Sequence, residues 1–495
     1  MTRVEMGEDP RTPSKARPVE STIRAAVSPL PTPEAQDIIV VGASGDLTRR
    51  KLLPALYNLF VAGLLPAEGK IVGLARTDLG SQGFIDNAHE AVHQFSRTGL
   101  DEDVWQRFAQ RLAFVHFAPG TFEKLSRECT APARVVYLAT PPDAVAAIVK
   151  EIYDAKLGNR TRLIMEKPFG EDLQSARELN HTIHRYFEER QVFRIDHYLG
   201  KETVQNILVF RFGNSVFERV WNRDAIQRIE ITVAESLGME GRGRSYDQVG
   251  ALRDILQNHV LQMLSLLTME APSSLDGEDI RDEKAKLLAA VRPIRVDDTV
   301  RAQYAEGIVN AERVPGYREE PGVPPDSETE TFIACRVYID TWRWAGVPVY
   351  LRTGKRLPNR ATQIDVEFKP VPLRLFEETP GDAHPNHLTL SIQPEESIKF
   401  RFLAKQPGPE FDVMQVDMGF SYGDAFMSEP AEAYERLIHD VLLGDHTLFV
   451  REDQVEASWA IVEPLLRQPP PVTQYLAGTW PQAEALIAPD AWHLR

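Results

Sequence analysis

The stretch Asp37-Ile-Ile-Val-Val-Gly-Ala-Ser-Gly-Asp-Leu47 decides the fold of this chain. Its first five residues form a short apolar run rich in β-branched side chains, which is typical of a buried strand. A glycine-rich turn follows at residues 42–47, and leucines at helical spacing then run through Thr48–Val61. A buried strand, a glycine turn and a helix in this order open a parallel α/β unit, so the stretch predicts a doubly wound domain.

Strands and helices continue to alternate up to about residue 200. The pattern predicts strands at Lys70–Ala75, Arg134–Ala139 and Arg162–Met165, and helices at Phe84–Phe95 and Asp143–Lys156. We therefore expect an N-terminal α/β domain of the Rossmann-like, doubly wound type over residues 35–200, which binds a dinucleotide at the carboxyl ends of its strands. Residues 1–34 hold six prolines and no periodic apolar pattern, so we expect a disordered tail there.

After residue 200 the pattern changes. Helical spacing is found at Glu202–Phe212, Tyr246–Met269, Ala431–Leu443 and Val455–Leu466. Strand-like runs are found at Gln227–Val233, Phe332–Thr341, Val347–Leu351, Ile364–Lys369, Leu388–Ile392 and Ile398–Leu403. The later runs follow one another with little helix between them, which predicts a C-terminal α+β domain over residues 201–495 with a large, mainly antiparallel sheet. We expect this domain to bind the substrate and to form the oligomer.

Composition narrows the class of protein. The chain has 495 residues, 43% of them hydrophobic, and a net charge of −16, which argues against a nucleic-acid binder. We find no apolar run long enough to span a membrane and no apolar signal-peptide core, so we expect a cytoplasmic protein without a membrane partner. The two cysteines are far apart in sequence and lack metal-ligand spacing, which excludes a disulfide framework.

The glycine turn predicts a dinucleotide site. Backbone must approach a pyrophosphate closely there, and the start of the following helix must face it. Arg76 and Thr77, just after the second predicted strand, suit the 2′-phosphate of NADP, whereas Asp78 keeps NAD possible as a secondary coenzyme. Alternatively, Arg76 is an exposed loop residue that does not bind the coenzyme. The expected coenzyme-binding residues are Gly42, Ala43, Ser44, Gly45, Asp46, Leu47, Lys51 and Arg76.

Three further segments carry candidate chemistry. Arg194-Ile-Asp-His-Tyr-Leu-Gly-Lys-Glu202 combines an acid, an imidazole, a phenol and a lysine, which suits a phosphorylated substrate and a proton transfer. Glu166-Lys-Pro-Phe-Gly170 places Lys167 at the carboxyl end of a strand, where coenzyme and substrate meet. Arg253–His259 inserts polar side chains into an apolar helix. Taken singly, each segment is also compatible with a polar turn or a structural histidine.

Together these segments closely resemble the glucose-6-phosphate dehydrogenase family. The resemblance covers almost all of the chain from Asp37 to the Gly478-Thr-Trp480 region. Five blocks agree in identity and order: Gly42–Leu47, Glu166–Gly170, Arg194–Glu202, Asp254–His259 and Leu351–Lys355.

The resemblance implies oxidation of glucose 6-phosphate at C1 to 6-phosphogluconolactone, with hydride transfer to NADP. It implies that His259 is the general base and Asp196 its partner. It implies a phosphate-binding group of His197, Tyr198 and Lys201, and sugar-binding positions at Glu235, Asp254 and Lys355. Lys167 matches a lysine that contacts both substrate and coenzyme, and Arg360 and Gln393 match further substrate-contacting positions. No metal is expected. The resemblance implies a homodimer or homotetramer.

Two alternatives stay open on the sequence. Another NAD(P)-linked sugar oxidoreductase, of the glucose–fructose oxidoreductase type, would also combine a Rossmann domain with an open sheet and a Glu-Lys-Pro motif, but it lacks a counterpart of Arg194–Glu202. A non-catalytic NADP sensor could have lost the base and the substrate lysines, yet His259, Asp196, Lys201 and Lys167 are all present.

Overall fold

The structure, a computed structural model, describes residues 31–129, 131–373, 375–376, 385–423 and 432–494. Residues from Thr32 onward form one compact unit. The predicted disordered tail falls almost wholly on residues 1–30 and therefore lies outside the described residues. The domain boundary expected at residue 200 stays a prediction.

The first sheet is the doubly wound sheet that the opening stretch predicts. Its six parallel strands are β1 (Gln36–Val41), β2 (Ile71–Ala75), β3 (Leu112–His116), β4 (Ala133–Leu138), β5 (Thr161–Met165) and β6 (Val192–Ile195). They lie in the order β6-β5-β4-β1-β2-β3. The strand order reverses between β1 and β4, which is where sheets of this kind bind a dinucleotide.

Helices cover this sheet. They span Thr48–Leu52 (a π-helical turn), Leu53–Val61, Gly80–Phe95, Glu102–Ala109, Thr121–Glu128, Pro142–Asp154 and Leu173–His184. The three strands and two helices predicted between residues 70 and 165 are all confirmed, with bounds that differ by a few residues. The strand β3 was missed because it lies at the sheet edge, where Leu112 alone of its five side chains is fully buried and the apolar run is weak.

The second sheet is large and mainly antiparallel, as predicted. Strands β7 to β16 span Ile226–Ala234, Thr299–Ala305, Gly307–Val309, Glu312–Val314, Phe332–Val337, Val349–Gly354, Ala361–Phe368, His387–Gln393, Ser397–Lys405 and Val413–Ser421. The order is β16-β15-β14-β13-β7-β12-β11-β8, while β9 and β10 form a separate hairpin. Within this order β7 and β12 run parallel.

The helices of the second half include one that differs from its prediction. Glu202–Phe212 is helical as predicted, and Ser215–Val220 and Gly277–Ala290 are also helices. The predicted continuous helix Tyr246–Met269 is wrong, because a short helix ends at Tyr246 and a π-helix begins at Leu252 and continues as an α-helix over Leu261–Thr268. Gly250 lies in the interruption at φ +70°, and a Cβ there would come within 2.5 Å of Glu330 Oε1.

The last part of the chain returns to the first sheet. Helix Ala433–Leu443 precedes β17 (Phe449–Val450), which pairs antiparallel with β6, and helix Glu452–Arg467 follows. The chain then adds β18 (Val472–Leu476) beside β8 in the second sheet and ends with a short helix at Glu484–Ile487. None of the helices in the described part of the chain has both the length and the apolar character that crossing a membrane requires.

The glycine turn after β1 passes between the ends of two strands. Gly42 has φ +98°, and the backbone N–H groups of Gly42 and Ala43 both donate to Leu74 O at 2.9 Å. A Cβ at Gly42 would lie 2.1 Å from Ala139 O, just beyond β4. The turn therefore depends on glycine both for its backbone conformation and for its contact with the neighbouring strand.

Gly42→Ala should lower the melting temperature of the chain by several degrees, because it adds both left-handed strain and a collision with backbone. The cost should exceed the roughly 1–3 kcal/mol expected from an unfavourable backbone conformation alone. Gly63→Ala is the matched control, since Gly63 also has a positive φ of +69° but a Cβ there meets nothing within 4 Å. Equal losses in the two variants, measured by thermal unfolding, would contradict the packing argument.

A buried ionic cluster ties the segment near residue 493 to the second sheet. His493 Nδ1 lies 2.6 Å from Glu230 Oε1, and its Nε2 lies 3.2 Å from Glu367 Oε2. Burial by itself lowers the pKa of His493, but the hydrogen bonds to Glu230 and Glu367 outweigh it and raise the pKa to about 9. The protonated histidine therefore stabilises the folded chain.

The contribution of His493 to stability should be lost at alkaline pH. Because its folded pKa is above its unfolded value, this contribution, about 3 kcal/mol, is fully present below about pH 6.5 and disappears as the pH rises through about 9. The difference in free energy of unfolding between the chain and His493→Gln, measured in urea, should therefore shrink from pH 7 to pH 10. The exposed His93→Gln is the control. A difference that stays constant with pH would show that His493 is not charged in the folded chain.

Candidate active site

A buried carboxylate–imidazole pair lies at the centre of the site. Asp196 directly follows β6, and His259 lies on the π-helix Leu252–Val260. Asp196 Oδ1 is 2.5 Å from His259 Nδ1 and also accepts the backbone N–H of Tyr198 at 3.0 Å. The two side chains are 3% and 0% exposed. The sequence placed these residues 63 positions apart, and the fold brings them into direct contact.

The pair holds its proton on the histidine side. Burial alone raises the pKa of Asp196, but the His259 ring outweighs it and lowers the pKa to about 2. Burial lowers the pKa of His259, although the Asp196 carboxylate opposes this shift. Asp196 is therefore ionised and His259 neutral near pH 7. Because an ionised carboxylate can only accept, Nδ1 carries the hydrogen and Nε2 is left with its lone pair.

Aromatic rings enclose the imidazole. The Tyr198 ring stacks on His259 at 4.4 Å between centroids, and the His197 ring meets it edge-on at 4.5 Å. Burial lowers the pKa of His197 well below its usual value, and the charge of a protonated His259 would lower it further. His197 is thus neutral in the ligand-free chain, and it could carry charge at a phosphate only if the anion itself raised its pKa.

Cations meet at one edge of the pair. Lys201 Nζ lies 4.2 Å from the centre of the Tyr198 ring and donates to Gln393 Oε1 at 2.8 Å. Arg360 Nη2 reaches the same oxygen at 3.4 Å. Burial, followed by the charge of Arg360, lowers the pKa of Lys201 to about 8, so most of the lysine is charged at pH 7. Two adjacent cations held by a neutral amide form a ready anion site.

A chain of alternating charges forms the opposite edge. Lys167 Nζ donates to Asp254 O at 2.6 Å and to Asp254 Oδ1 at 3.1 Å. Lys355 Nζ lies 3.7 Å from Asp254 Oδ2 and forms an ion pair with Glu235. Burial alone raises the pKa of Asp254, but the two lysines outweigh it and lower the pKa to about 2. The chain offers both donors and acceptors to hydroxyl groups.

Two site residues were missed from the sequence. Glu166 accepts a hydrogen bond from Tyr137 Oη at 2.5 Å, and burial raises its pKa. Tyr246 places its ring 5.2 Å from Lys355 Nζ. The position of Glu166 beside Lys167 in the Glu166–Gly170 motif was a usable signal, whereas nothing local in the sequence marked Tyr246. The Lys167–Pro168 peptide is cis.

The predicted coenzyme residues lie at the carboxyl edge of the first sheet. Ser44 and Asp46 are exposed on the glycine turn, and Arg76 is exposed after β2. Within the described ranges, Arg76 is bonded through its backbone O, which lies 2.9 Å from His116 Nε2, and its side chain is exposed. Asp78 Oδ1 accepts the N–H of Gly80 at 3.0 Å, which ties Asp78 to the next helix. Lys51 forms an ion pair with Glu432, so a role in coenzyme binding stays a prediction for it.

The close backbone packing of the turn fits a dinucleotide. At Gly42 the chain passes too near Ala139 for any side chain, and the N-terminal end of the helical segment that starts at Thr48 follows directly. The residues of the site fit a metal ion less well than a dinucleotide. Ligand atoms of Asp196, His197 and His259 lie within 4.8 Å of one another, but Lys167 and Lys201 already place positive charge around them.

Comparison with known proteins agrees with this geometry. A model of the glucose-6-phosphate dehydrogenase NAD-binding domain matches residues 39–206, and one of the C-terminal domain matches residues 208–493. The glucose-6-phosphate 1-dehydrogenase of Mycolicibacterium smegmatis is 44% identical over 447 residues, which cover 87% of this chain and 90% of that protein.

Solved structures give the same result. A glucose-6-phosphate 1-dehydrogenase from Mycobacterium avium superposes with a TM-score of 0.84 at 36% identity, covering 94% of this chain and 99% of that one. A glucose-6-phosphate dehydrogenase in complex with glucose 6-phosphate superposes with a TM-score of 0.85 at 35% identity, covering 92% and 97%. With both domain models matched in sequence order and relatives of this identity along nearly the whole chain, this protein belongs to the glucose-6-phosphate dehydrogenase family.

Proposed function

We propose that this chain oxidises glucose 6-phosphate at C1 to 6-phosphoglucono-1,5-lactone with NADP+ as the hydride acceptor. The observation that carries the proposal is the buried Asp196–His259 pair, which lies between the coenzyme edge of the first sheet and a pocket of cations. Such a site can bind a phosphorylated sugar and remove one proton from it.

His259 acts as the general base. Its neutral Nε2 accepts the proton of the C1 hydroxyl while NADP+, when bound, takes the hydride from C1. Asp196 accepts the Nδ1 hydrogen, which fixes the tautomer and stabilises the imidazolium as it forms. The stacked Tyr198 ring limits rotation of the imidazole and excludes water from one of its faces. The base is thus oriented before the substrate arrives.

The sugar phosphate spans the two edges of the site. Lys201 and Arg360 bind the phosphate, with His197 and Tyr198 beside them. Glu235, Lys355 and Asp254 bind sugar hydroxyl groups, and Lys167 reaches both substrate and coenzyme. Gln393 orients the two cations when no anion is bound. Binding at both ends holds C1 at the imidazole.

The coenzyme edge suits NADP over NAD. Arg76 is exposed at the end of β2, where the adenosine ribose of a dinucleotide lies in folds of this kind, and its guanidinium can bind a 2′-phosphate. Asp78 accepts the N–H of Gly80, but it lies only two positions after Arg76 in sequence, so secondary use of NAD stays part of the proposal.

The alternative functions have less support. A sugar oxidoreductase of the glucose–fructose oxidoreductase type does not account for the cationic pocket of Lys201 and Arg360. A non-catalytic NADP sensor does not need an oriented, buried base.

We also retain a homodimer or homotetramer and a cytoplasmic setting as part of the proposal. Exposed Met414, Met418 and Phe420 on the edge strand β16 support assembly of identical subunits.

His259→Asn should lower kcat roughly 10²–10⁴-fold with little change in KM for glucose 6-phosphate, since only the proton acceptor is removed. In the unsubstituted chain, kcat/KM should fall with acid below about pH 6.5, because burial lowers the pKa of His259 and the base is lost only once it is protonated. Steady-state rates measured with NADP+ over a range of pH test both the loss of kcat in the variant and the fall of kcat/KM with acid. Near-normal turnover by a folded His259→Asn variant would remove His259 from this role.

Lys201→Met should raise KM for glucose 6-phosphate about tenfold or more and leave kcat nearly unchanged, because a charge-assisted bond to the phosphate is worth roughly 1.5–3 kcal/mol. Turnover of free glucose, which lacks the phosphate, should be affected far less. Lys399→Met on β15 is the control, since Lys399 is exposed. Equal damage with both sugars would contradict the phosphate assignment.

A further inference from the structure

A buried glutamate holds the start of the helix that carries the base. Glu330 lies two residues before β11 and is buried. Its Oε1 accepts the backbone N–H of Leu252, the first residue of the π-helix, at 3.0 Å. Its backbone O accepts the N–H of Ala251, also at 3.0 Å. Since N–H groups at the start of a helix lack partners within the helix, Glu330 provides acceptors for two of them.

Glu330 is itself fixed by the second sheet. Arg301 on β8 donates to Glu330 Oε2 from Nη2 at 2.8 Å and from Nε at 3.1 Å. Both side chains are almost fully buried, and Arg301 also donates from Nη1 to Pro470 O at 2.8 Å. A carboxylate is favourable at the start of a helix, and the arginine compensates the cost of burying it. The π-helix therefore begins at a fixed point of the second sheet.

The first turn of this helix carries a residue of the proposed sugar site. Asp254 lies two positions after Leu252, and its backbone O and Oδ1 accept hydrogen bonds from Lys167 Nζ at 2.6 and 3.1 Å. Its Oδ2 lies 3.7 Å from Lys355 Nζ. A shift at the start of the helix would consequently move Asp254 relative to both lysines.

The segment that holds the helix also holds Lys355. Thr331, the neighbour of Glu330, accepts the backbone N–H of Lys355 through its carbonyl oxygen at 2.9 Å. Tyr475 on β18 is buried and donates from Oη to Lys355 O at 2.5 Å, and the same Oη lies 3.1 Å from Thr331 Oγ1. The backbone of Lys355 is thus bound on both sides. Residues 330–331 are therefore the common support of Asp254 and Lys355.

We propose that Glu330 and Tyr475 are positioning residues for the sugar: together they fix the separation of Asp254 and Lys355, and with it the spacing of the acceptors and donors that meet the sugar hydroxyl groups. Glu330 acts through the backbone of Leu252, and Tyr475 acts through that of Lys355. The inference rests on the proposed function, in which Asp254 and Lys355 bind the sugar.

Glu330→Ala should lower kcat/KM about tenfold for glucose 6-phosphate and by the same factor for free glucose, because both sugars bring the same hydroxyl groups to the misplaced residues. The loss should lie in KM. The acid limb of kcat/KM should not move, because His259 keeps its own contact with Asp196. Lys201→Met, in contrast, should affect glucose 6-phosphate selectively.

Glu328→Ala is the matched control for Glu330→Ala, because Glu328 is an exposed carboxylate two positions earlier in the same segment. A Glu330→Ala variant that only melts at lower temperature, with KM unchanged, would make Glu330 merely structural. A loss confined to glucose 6-phosphate would also contradict the proposal, since it would place the effect at the phosphate.

Tyr475→Phe tests the other support with the loss of one hydroxyl group. It should raise KM for glucose 6-phosphate about threefold, the value of one neutral hydrogen bond, whereas Tyr153→Phe at an exposed ring should have no effect. Because both supports fix one separation, the double variant should lose less than the product of the single losses. Losses that multiply would overturn the common support. If Glu330→Ala does not fold, Tyr475→Phe decides, and an unchanged KM overturns the proposal.

Hydrogen–deuterium exchange of the ligand-free chain, measured by mass spectrometry, separates this inference from the proposed function. Glu330→Ala should speed amide exchange in the fragment that contains residues 251–256 and leave the helix Pro142–Asp154 unchanged. This result stands even if the chain fails to oxidise glucose 6-phosphate, so the two failures are distinguishable. Unchanged exchange at residues 251–256 would show that Glu330 does not hold the helix.

Discussion

The burial of ionised groups is the constraint on which this site depends. Asp196 and His259 are almost fully enclosed. His259 lowers the pKa of Asp196 and keeps it ionised, whereas burial keeps His259 neutral although the charge of Asp196 opposes this. Removing one member of such a pair leaves an uncompensated charge or an unpaired donor in the interior. The same contact joins the end of β6 to the π-helix, so the two halves of the chain are held together by the group that performs the reaction.

A parallel pair in a mainly antiparallel sheet explains the other edge of the site. β7 and β12 are parallel neighbours, with Ala234 opposite Gly354. Glu235 and Lys355 come directly after these two positions and therefore leave the sheet at the same edge, where they form an ion pair. An antiparallel arrangement would have sent them to opposite edges. The parallel pairing of β7 with β12 is thus what builds the substrate end of the site.

Much of the fold and most of the site could be predicted from the sequence. The Asp37–Leu47 stretch was sufficient to predict the first sheet, because a buried strand followed by a glycine turn is typical of few structures other than a parallel α/β unit. The break at Gly250 was not predictable, since it depends on the distant Glu330. The pairing of Lys51 with Glu432 and the neutral state of His197 also depend on tertiary contacts.

The short strand β17 has a consequence for how the chain is made. Phe449 and Val450 complete the first sheet beside β6, more than 250 positions later in sequence. During synthesis, which proceeds at roughly 5–20 residues per second, the amino-terminal sheet must wait for tens of seconds with this edge uncovered. An open edge of a sheet is a template for wrong pairing. The emerging chain is therefore most exposed to aggregation in that interval, and this is when a chaperone has most to protect.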